Sequence, residues 1–174
     1  CCNVGANSPE EYGDYFAWGE TSPKSSYTWE NYQFSTDSDG DDYWDFGEYA
    51  NLGDISGNPQ YDAATANWGG GWRMPTLSEF CELKDNCTWE WTAFNGVNGC
   101  KVTGPNGNSI FLPAAGFRNE SSLKNAGGSG SYWSSSPYED YSNSRAFGLY
   151  FDSDNLFMNY FFRVYVQSVR PVLE

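Results

Sequence analysis

Turn-forming residues interrupt this chain so often that few of its elements can be long. Nineteen Gly and eight Pro, with many Asn and Ser, are spread along 174 residues. Each of these residue types favours a turn for its own conformational reason, so short elements in long loops are expected. The punctuation lapses most clearly after Pro75. There Thr76-Leu-Ser-Glu79 forms a capping box, in which Thr76 and Glu79 satisfy two orphan backbone donors at a helix start. Leu77, Phe80 and Cys81 follow at i, i+3 and i+4, so a helix with one apolar stripe should run to about Asn86. A second, shorter helix is expected over 62–67, ended by Gly69-Gly70-Gly71. Strand signals dominate the end of the chain. Ser109-Ile-Phe-Leu-Pro113 is a short apolar run. Residues 146–152 alternate, with Ala146, Gly148, Tyr150 and Asp152 on one side and Phe147, Leu149 and Phe151 on the other. Residues 167–172 read as a closing strand whose end Pro171 places at an edge. Two short helices with small antiparallel sheets and long loops make the expected class α+β.

Aliphatic residues are too few to fill a core of this size, and aromatic residues reach 19 % of the chain. Trp, Tyr and Phe must therefore build much of the interior and leave some rings at the surface. The 174 residues suit one domain. No run of about 18 apolar residues is present, so no membrane-spanning helix is expected.

Net charge is −14, and thirteen of the first 72 residues are acidic while only Lys24 is basic. Such a surface repels phosphate backbones, so nucleic acid is not an expected partner. Histidine is absent, which removes the commonest general base, the commonest metal ligand and every Ser/His or Cys/His arrangement. The five cysteines are Cys1, Cys2, Cys81, Cys87 and Cys100. Their odd number precludes full internal pairing, and no CxxC offers a zinc site. Cys81 and Cys87 read as thiols on or just after the helix, with a Cys81–Cys100 disulfide as the alternative.

The segment Leu156-Phe-Met-Asn-Tyr-Phe-Phe-Arg-Val-Tyr-Val166 stands out. Apolar residues occupy both parities, so it shows no solvent face. A buried central strand would look like this. A binding surface would too, because Phe157, Tyr160, Phe161, Phe162 and Tyr165 crowd together and are broken only by Asn159 and Arg163.

Several motifs together resemble a known family. They are Asn3-Val-Gly-Ala6, Glu11-Tyr-Gly-Asp-Tyr-Phe-Ala-Trp-Gly-Glu20, Asn67-Trp-Gly-Gly-Gly-Trp-Arg-Met-Pro-Thr76, Phe111-Leu-Pro-Ala-Ala-Gly-Phe-Arg118, Tyr132-Trp-Ser-Ser-Ser136 and Ser168-Val-Arg-Pro-Val172. This set resembles the Fibrobacter succinogenes major paralogous domain, common in gut Bacteroidetes. That family is similar to the formylglycine-generating-enzyme branch of the C-type-lectin-like fold. The resemblance implies a C-type-lectin-like domain over 1–174. Catalysis is not carried over, since that enzyme's reactive cysteine pair lies near the C-terminus and no cysteine follows Cys100 here. Trp68, Trp72, Phe111 and Trp133 read as core anchors, and Arg73, Arg118 and Arg170 as partners of loop carbonyls or carboxylates.

Some members of this fold are variable proteins of diversity-generating retroelements, in which adenine-directed changes rewrite codons near the 3′ end of the gene. Changes to an Asn codon cannot yield Gln, Glu, Lys, Met or Trp. Leu156, Phe157, Asn159, Tyr160, Phe161, Phe162, Val164, Tyr165 and Val166 all lie inside the permitted set. The resemblance therefore implies a variable ligand-binding region over about 132–167. Its contact residues would be Tyr138, Tyr141, Phe147, Tyr150, Asp152, Leu156, Phe157, Asn159, Tyr160, Phe161, Phe162, Val164 and Tyr165, with Met158, Arg163 and Gln167 as frame. The expected activity is non-enzymatic binding of a protein or glycan on a cell surface. The chain would be extracellular, surface-displayed or lipid-anchored on a bacterium, or carried on a phage particle. No cofactor is expected under this reading. A carbohydrate-binding module is the first rival, with calcium held by Asp37, Asp39, Asp41 and Asp42. A glycoside hydrolase, which needs only two carboxylates, is the second.

Overall fold

A computed structural model describes residues 2–36, 49–139 and 142–174 of the chain. The architecture is α+β, sheet-rich and built from short elements. In order, the described residues form β1 (Tyr15–Phe16), α1 (Ala63–Trp68), β2 (Trp72–Arg73), α2 (Leu77–Asn86), β3 (Thr88–Phe94), β4 (Val97–Thr103), β5 (Ser109–Pro113), β6 (Phe117–Asn119), β7 (Ser122–Lys124), β8 (Ser129–Tyr138), β9 (Arg145–Asp152), β10 (Leu156–Phe162), β11 (Gln167–Ser168) and β12 (Val172–Leu173). Neither helix is long and apolar enough to cross a membrane.

Both helices start where side chains satisfy their first N–H groups. Asp62 caps α1 through one oxygen, which accepts from Ala64 N–H (2.8 Å) and Thr65 N–H (3.0 Å). Its other oxygen accepts from Gly57 N–H and Met74 N–H, so one buried carboxylate ties three segments together. The Thr76–Glu79 capping box is complete at the start of α2. Arg73 adds a bidentate bridge to Glu79 at 2.8 and 2.7 Å.

The main sheet runs β1-β11-β8-β9-β10, with all pairs antiparallel except β11 with β8. Its centre is buried on both faces. Tyr132 and Trp133 are consecutive on β8 and so point to opposite faces, yet both are fully buried. Trp133 packs with Phe16, Trp18, Met74, α1 and Val169. Tyr132 packs with Leu149, Phe151, Leu112 and Phe80 of α2. A third cluster holds Tyr15, Tyr27, Tyr32, Tyr49 and Val166.

Rings fill this core, and their polar tips bond backbone carbonyls of strands and loops. The Trp18 and Trp133 indoles donate to Ser134 O and Phe16 O, both at 2.9 Å. Tyr132 donates to Pro113 O, Tyr15 to Ala115 O, Tyr27 to Tyr15 O and Tyr32 to Trp18 O. Buried Tyr and Trp can be accommodated because each tip finds a partner. Burial pushes the Tyr15 hydroxyl up to about 12.

The structure corrects several expectations. Residues 88–103 form a β-hairpin, where the sequence reading assigned no element. The 167–172 segment is two strands in different sheets, because β11 lies between β1 and β8 while β12 pairs with β2. The 156–162 stretch is the outermost strand of its sheet and not a central one. Cys2, Cys81, Cys87 and Cys100 are free thiols, so no Cys81–Cys100 disulfide forms. Burial pushes the Cys100 thiol up to about 11. Arg73 bonds a carboxylate as expected, Arg170 bonds Phe111 O and Asn3 Oδ1, and Arg118 lies over the Tyr15 ring. Asp37, Asp39, Asp41, Asp42 and Tyr141 lie outside the described residues.

The hydrogen bond from Arg73 holds the Glu79 carboxyl down to about 2, against an ordinary 4.5. This group stabilises the fold fully above pH 4.5, and the contribution is lost as pH falls toward about 2. Because Glu79 is partly exposed, solvent screening holds its share to ~1 kcal/mol. Glu79→Gln should cost about that much at neutral pH and flatten the acid limb of chemical-denaturation stability measured over that window.

Candidate functional site

The strongest concentration of exposed rings lies on β9, β10 and the turn that follows them. Phe157 and Tyr160 are 40 % and 42 % exposed, and Asn159 is exposed between them. Their arrangement follows from the register of β9 with β10. Phe157 lies opposite Tyr150, Tyr160 opposite Phe147 and Phe162 opposite Arg145. The Phe157 and Tyr150 rings stack with centroids 4.9 Å apart. Tyr160 stacks on Tyr138 at 4.2 Å, and Tyr138 meets Phe147 edge-on at 5.4 Å. Phe162 meets Trp29 and Tyr165 edge-on, and Tyr165 lies 6.2 Å from Phe117. A belt of half-buried and exposed rings therefore runs from Tyr138 to Phe117.

Arg145 sits inside this belt. Its guanidinium is 5.3 Å from the Tyr160 centroid and 4.9 Å from that of Phe162. Cation–π contact holds it there. Among the described residues no carboxylate pairs with it, in a chain that has 23 acidic residues. Neither Arg145 nor Trp29 was legible as a site residue. The position of Arg145 directly before the 146–152 alternation was the one signal, whereas Trp29 reaches the belt only through the fold.

The expected contact residues divide by burial. Tyr138, Phe147, Tyr150, Phe157, Asn159, Tyr160, Phe162 and Tyr165 carry exposed or half-exposed side chains. Val164 does not, because it is 5 % exposed in the turn that follows β10. Phe161 packs on Trp133 and covers Gly148, where an added Cβ would lie 3.2 Å from the Phe161 ring. Leu156 packs with Met158 onto the Tyr132 and Phe80 cluster. These three belong to the frame, and the pleat turns Phe161 and Leu156 toward the two cores. Asp152 is tied into the β9–β10 turn. Its carboxylate accepts from Asp154 N–H and Asn155 N–H at 2.8 Å, and the first of these bonds is the main cause holding its carboxyl below the usual range. Arg163 and Gln167 are buried as frame residues should be. Arg163 donates to Ala50 O (3.0 Å) and lies over the Trp18 ring at 4.2 Å.

Two clefts lie elsewhere. One of about 500 Å³ is lined by Glu90, Phe94, Lys101, Ile110 and Phe111 on the β3–β5 sheet. Another of about 170 Å³ lies between Trp89, Trp91 and the Asp152–Asn155 turn. Among the described residues no group of three or more Cys, Asp or Glu side chains forms a metal site.

A family model described as a domain of unknown function (DUF8237) matches residues 92–172, just under half of the chain. That span contains all of β8, β9, β10 and β11, and so nearly the whole ring belt. No curated protein and no solved structure matches the chain.

Parity along β10 generates a contrast. Phe161→Ser should lower stability by about 2–4 kcal/mol, because it empties a seat against Trp133. Tyr160→Ser, one residue away, should cost under about 1 kcal/mol. Urea unfolding of the two variants measures the difference, and equal losses would contradict the division between frame and surface.

Proposed function

We propose that this chain is a non-enzymatic ligand-binding domain that presents the ring belt of β9, β10 and Tyr165 to a partner at a cell or phage surface. The single observation that carries the reading is the pairing of Phe157 and Tyr160, both about two-fifths exposed, with a frame that is buried immediately beside them. Exposed rings cost solubility, so the contiguous Phe147, Tyr138 and Tyr160 on one face of the sheet mark an interaction site. Tyr and Phe also bring large contact area at small conformational-entropy cost.

The finer reading is that of a C-type-lectin-like variable protein whose surface is rewritten by a diversity-generating retroelement. It rests on the motif resemblance and is supported by which residues are free to change. Phe157, Asn159, Tyr160, Phe162 and Tyr165 hold adenine-reachable residue types and leave part of their side chains outside the core. Met158 and Gln167, which adenine change at an Asn codon cannot produce, are half-buried and buried. A rigid frame that presents exchangeable side chains would work as antibody loops do. Among the rings of the belt, Arg145 lies over Tyr160 and Phe162, and Asp152 accepts a hydrogen bond from the Tyr150 hydroxyl. The carbohydrate-binding reading rests on the same ring faces and does not require the acidic residues at 37–42.

Two measurements test the proposal. A library varied at Phe157, Asn159, Tyr160, Phe162 and Tyr165 should yield folded variants that bind an arbitrary defined protein such as lysozyme, and the DNA downstream of the gene should hold a near-copy of codons 132–172 that differs at adenines. A library that yields only unfolded protein contradicts the surface assignment. Downstream DNA without such a copy contradicts the retroelement assignment alone.

A further inference from the structure

The cleft of about 170 Å³ beside the β9–β10 turn has indoles on one side and carboxylates on the other. Trp89 and Trp91 are two residues apart on β3, so they project from the same face of that strand. Both indoles are half-buried. Both lean on the buried Phe151, with ring centroids 5.9 and 6.4 Å away and interplanar angles of 53° and 67°. Neither pair is a face-to-face stack, so the indoles rise from Phe151 as walls and do not lie flat over it. The Trp89 indole also donates to Leu83 O at 3.3 Å, which fixes its ring.

The opposite wall is the turn at 152–155, which contributes two carboxylates. Among the described residues no Lys or Arg lines the cleft, and neither Asp152 nor Asp154 forms an ion pair. The lone pairs of Asp152 are nonetheless occupied. Its Oδ1 accepts from the Asp154 N–H, the Asn155 N–H and the Asn155 side-chain amide at 2.8, 2.8 and 3.0 Å. Its Oδ2 accepts from the Tyr150 hydroxyl at 3.1 Å and from the same amide at 3.2 Å. Asp154 Oδ2 accepts from the Ser153 hydroxyl at 2.9 Å. All these donors are neutral, so they orient the carboxylates and leave their charge uncancelled.

This occupancy decides the chemistry of the ligand. A sugar or a primary ammonium needs directional acceptors, and the Asp152 oxygens already serve the turn. A hard metal ion wants about six oxygen ligands, and the cleft offers two carboxylates. A quaternary ammonium has no N–H to satisfy. It is drawn by uncancelled negative charge and by aromatic faces, those of Trp most strongly. The cleft lies below the roughly 300 Å³ at which whole drug-sized ligands are held, so it suits a compact head group.

We infer that this cleft binds the trimethylammonium group of a choline-type cation, with Trp89 and Trp91 facing its methyl groups and Asp152 and Asp154 supplying the counter-charge. The site is separate from the ring belt and does not depend on the belt being a binding surface. The belt would repel the same group, because Arg145 is held among its rings.

The test uses the chain as it is and choline chloride, at constant ionic strength, followed by NMR of the indole N–H signals. The Trp89 and Trp91 signals should shift saturably, with half-saturation at roughly 1–10 mM. The neutral isostere 3,3-dimethylbutan-1-ol fills the same space without the charge and should bind at least about fivefold more weakly. Asp154→Asn changes an exposed side chain and should weaken choline about two- to threefold. Trp91→Leu should weaken it about fivefold or more, and Tyr160→Ser should leave it unchanged. Should Trp91→Leu fail to fold, the isostere and Asp154→Asn carry the test. Vesicles of phosphatidylcholine separate two sources of the group. Protein that sediments with them and is released by choline takes a lipid head group, and protein that binds choline but stays in solution takes the free cation. Four outcomes overturn the proposal. They are no saturable shift at Trp89 and Trp91, equal affinity for the isostere, an Asp154→Asn variant that binds choline as tightly as the unaltered chain, and loss of binding in Tyr160→Ser, which would place the cation on the ring belt. The first three leave the ring-belt reading standing.

Discussion

The structure depends on two consecutive rings, Tyr132 and Trp133, fully buried on opposite faces of β8. A sheet buried on both faces at its centre is costly for a chain with few aliphatic residues, because two separate cores must be filled. Aromatic side chains make it feasible. Each contributes a large apolar area, and its polar tip bonds a backbone carbonyl in the interior. The tips of Trp18, Trp133 and Tyr15 consequently tie residues 15–18 to the strands and loops of the second half of the chain.

The character of β10 follows from those two cores. Leu156 and Met158 reach the cluster under Tyr132, and Phe161 reaches the cluster around Trp133. The core side of the strand therefore changes along its length. Each exchange leaves a ring on the uncovered side, Phe157 at one end and Tyr160 toward the other. The belt is thus the residue of packing two cores against one edge strand, with Arg145 held among its rings by cation–π contact.

Much of the fold was legible because some signals are local. The capping box at Thr76 fixed α2, and the run 109–113 is β5 as read. The alternation of 146–152 gave the two faces of β9, with Ala146 in one core and Leu149 and Phe151 in the other. The β3–β4 hairpin was missed although its signal was present. Asn95-Gly96 follows the alternating Trp89 and Trp91, and both turn residues have positive φ, at 49° and 81°. For the site, crowding of rings near 160 was visible, but the burial of each was not. A strand that serves two cores shows apolar residues at both parities, and the same pattern arises from a fully buried strand. Position at a sheet edge is decided by pairing with β9, which is a long-range fact. Val164 and Phe161 passed as surface residues for that reason, and Trp29 and Arg145 went unnoticed.

The central claim is that exposed rings stand on a frame that stays folded whatever they are. Substitution of every position from 156 to 166 with all residue types, scored by resistance to proteolysis, measures this residue by residue. The account predicts that Phe157, Asn159 and Tyr160 accept charged and polar residues with little loss, while Phe161, Arg163, Val164 and Val166 accept almost none. Equal intolerance at Phe157 and Tyr160 would place those rings in the core and contradict it.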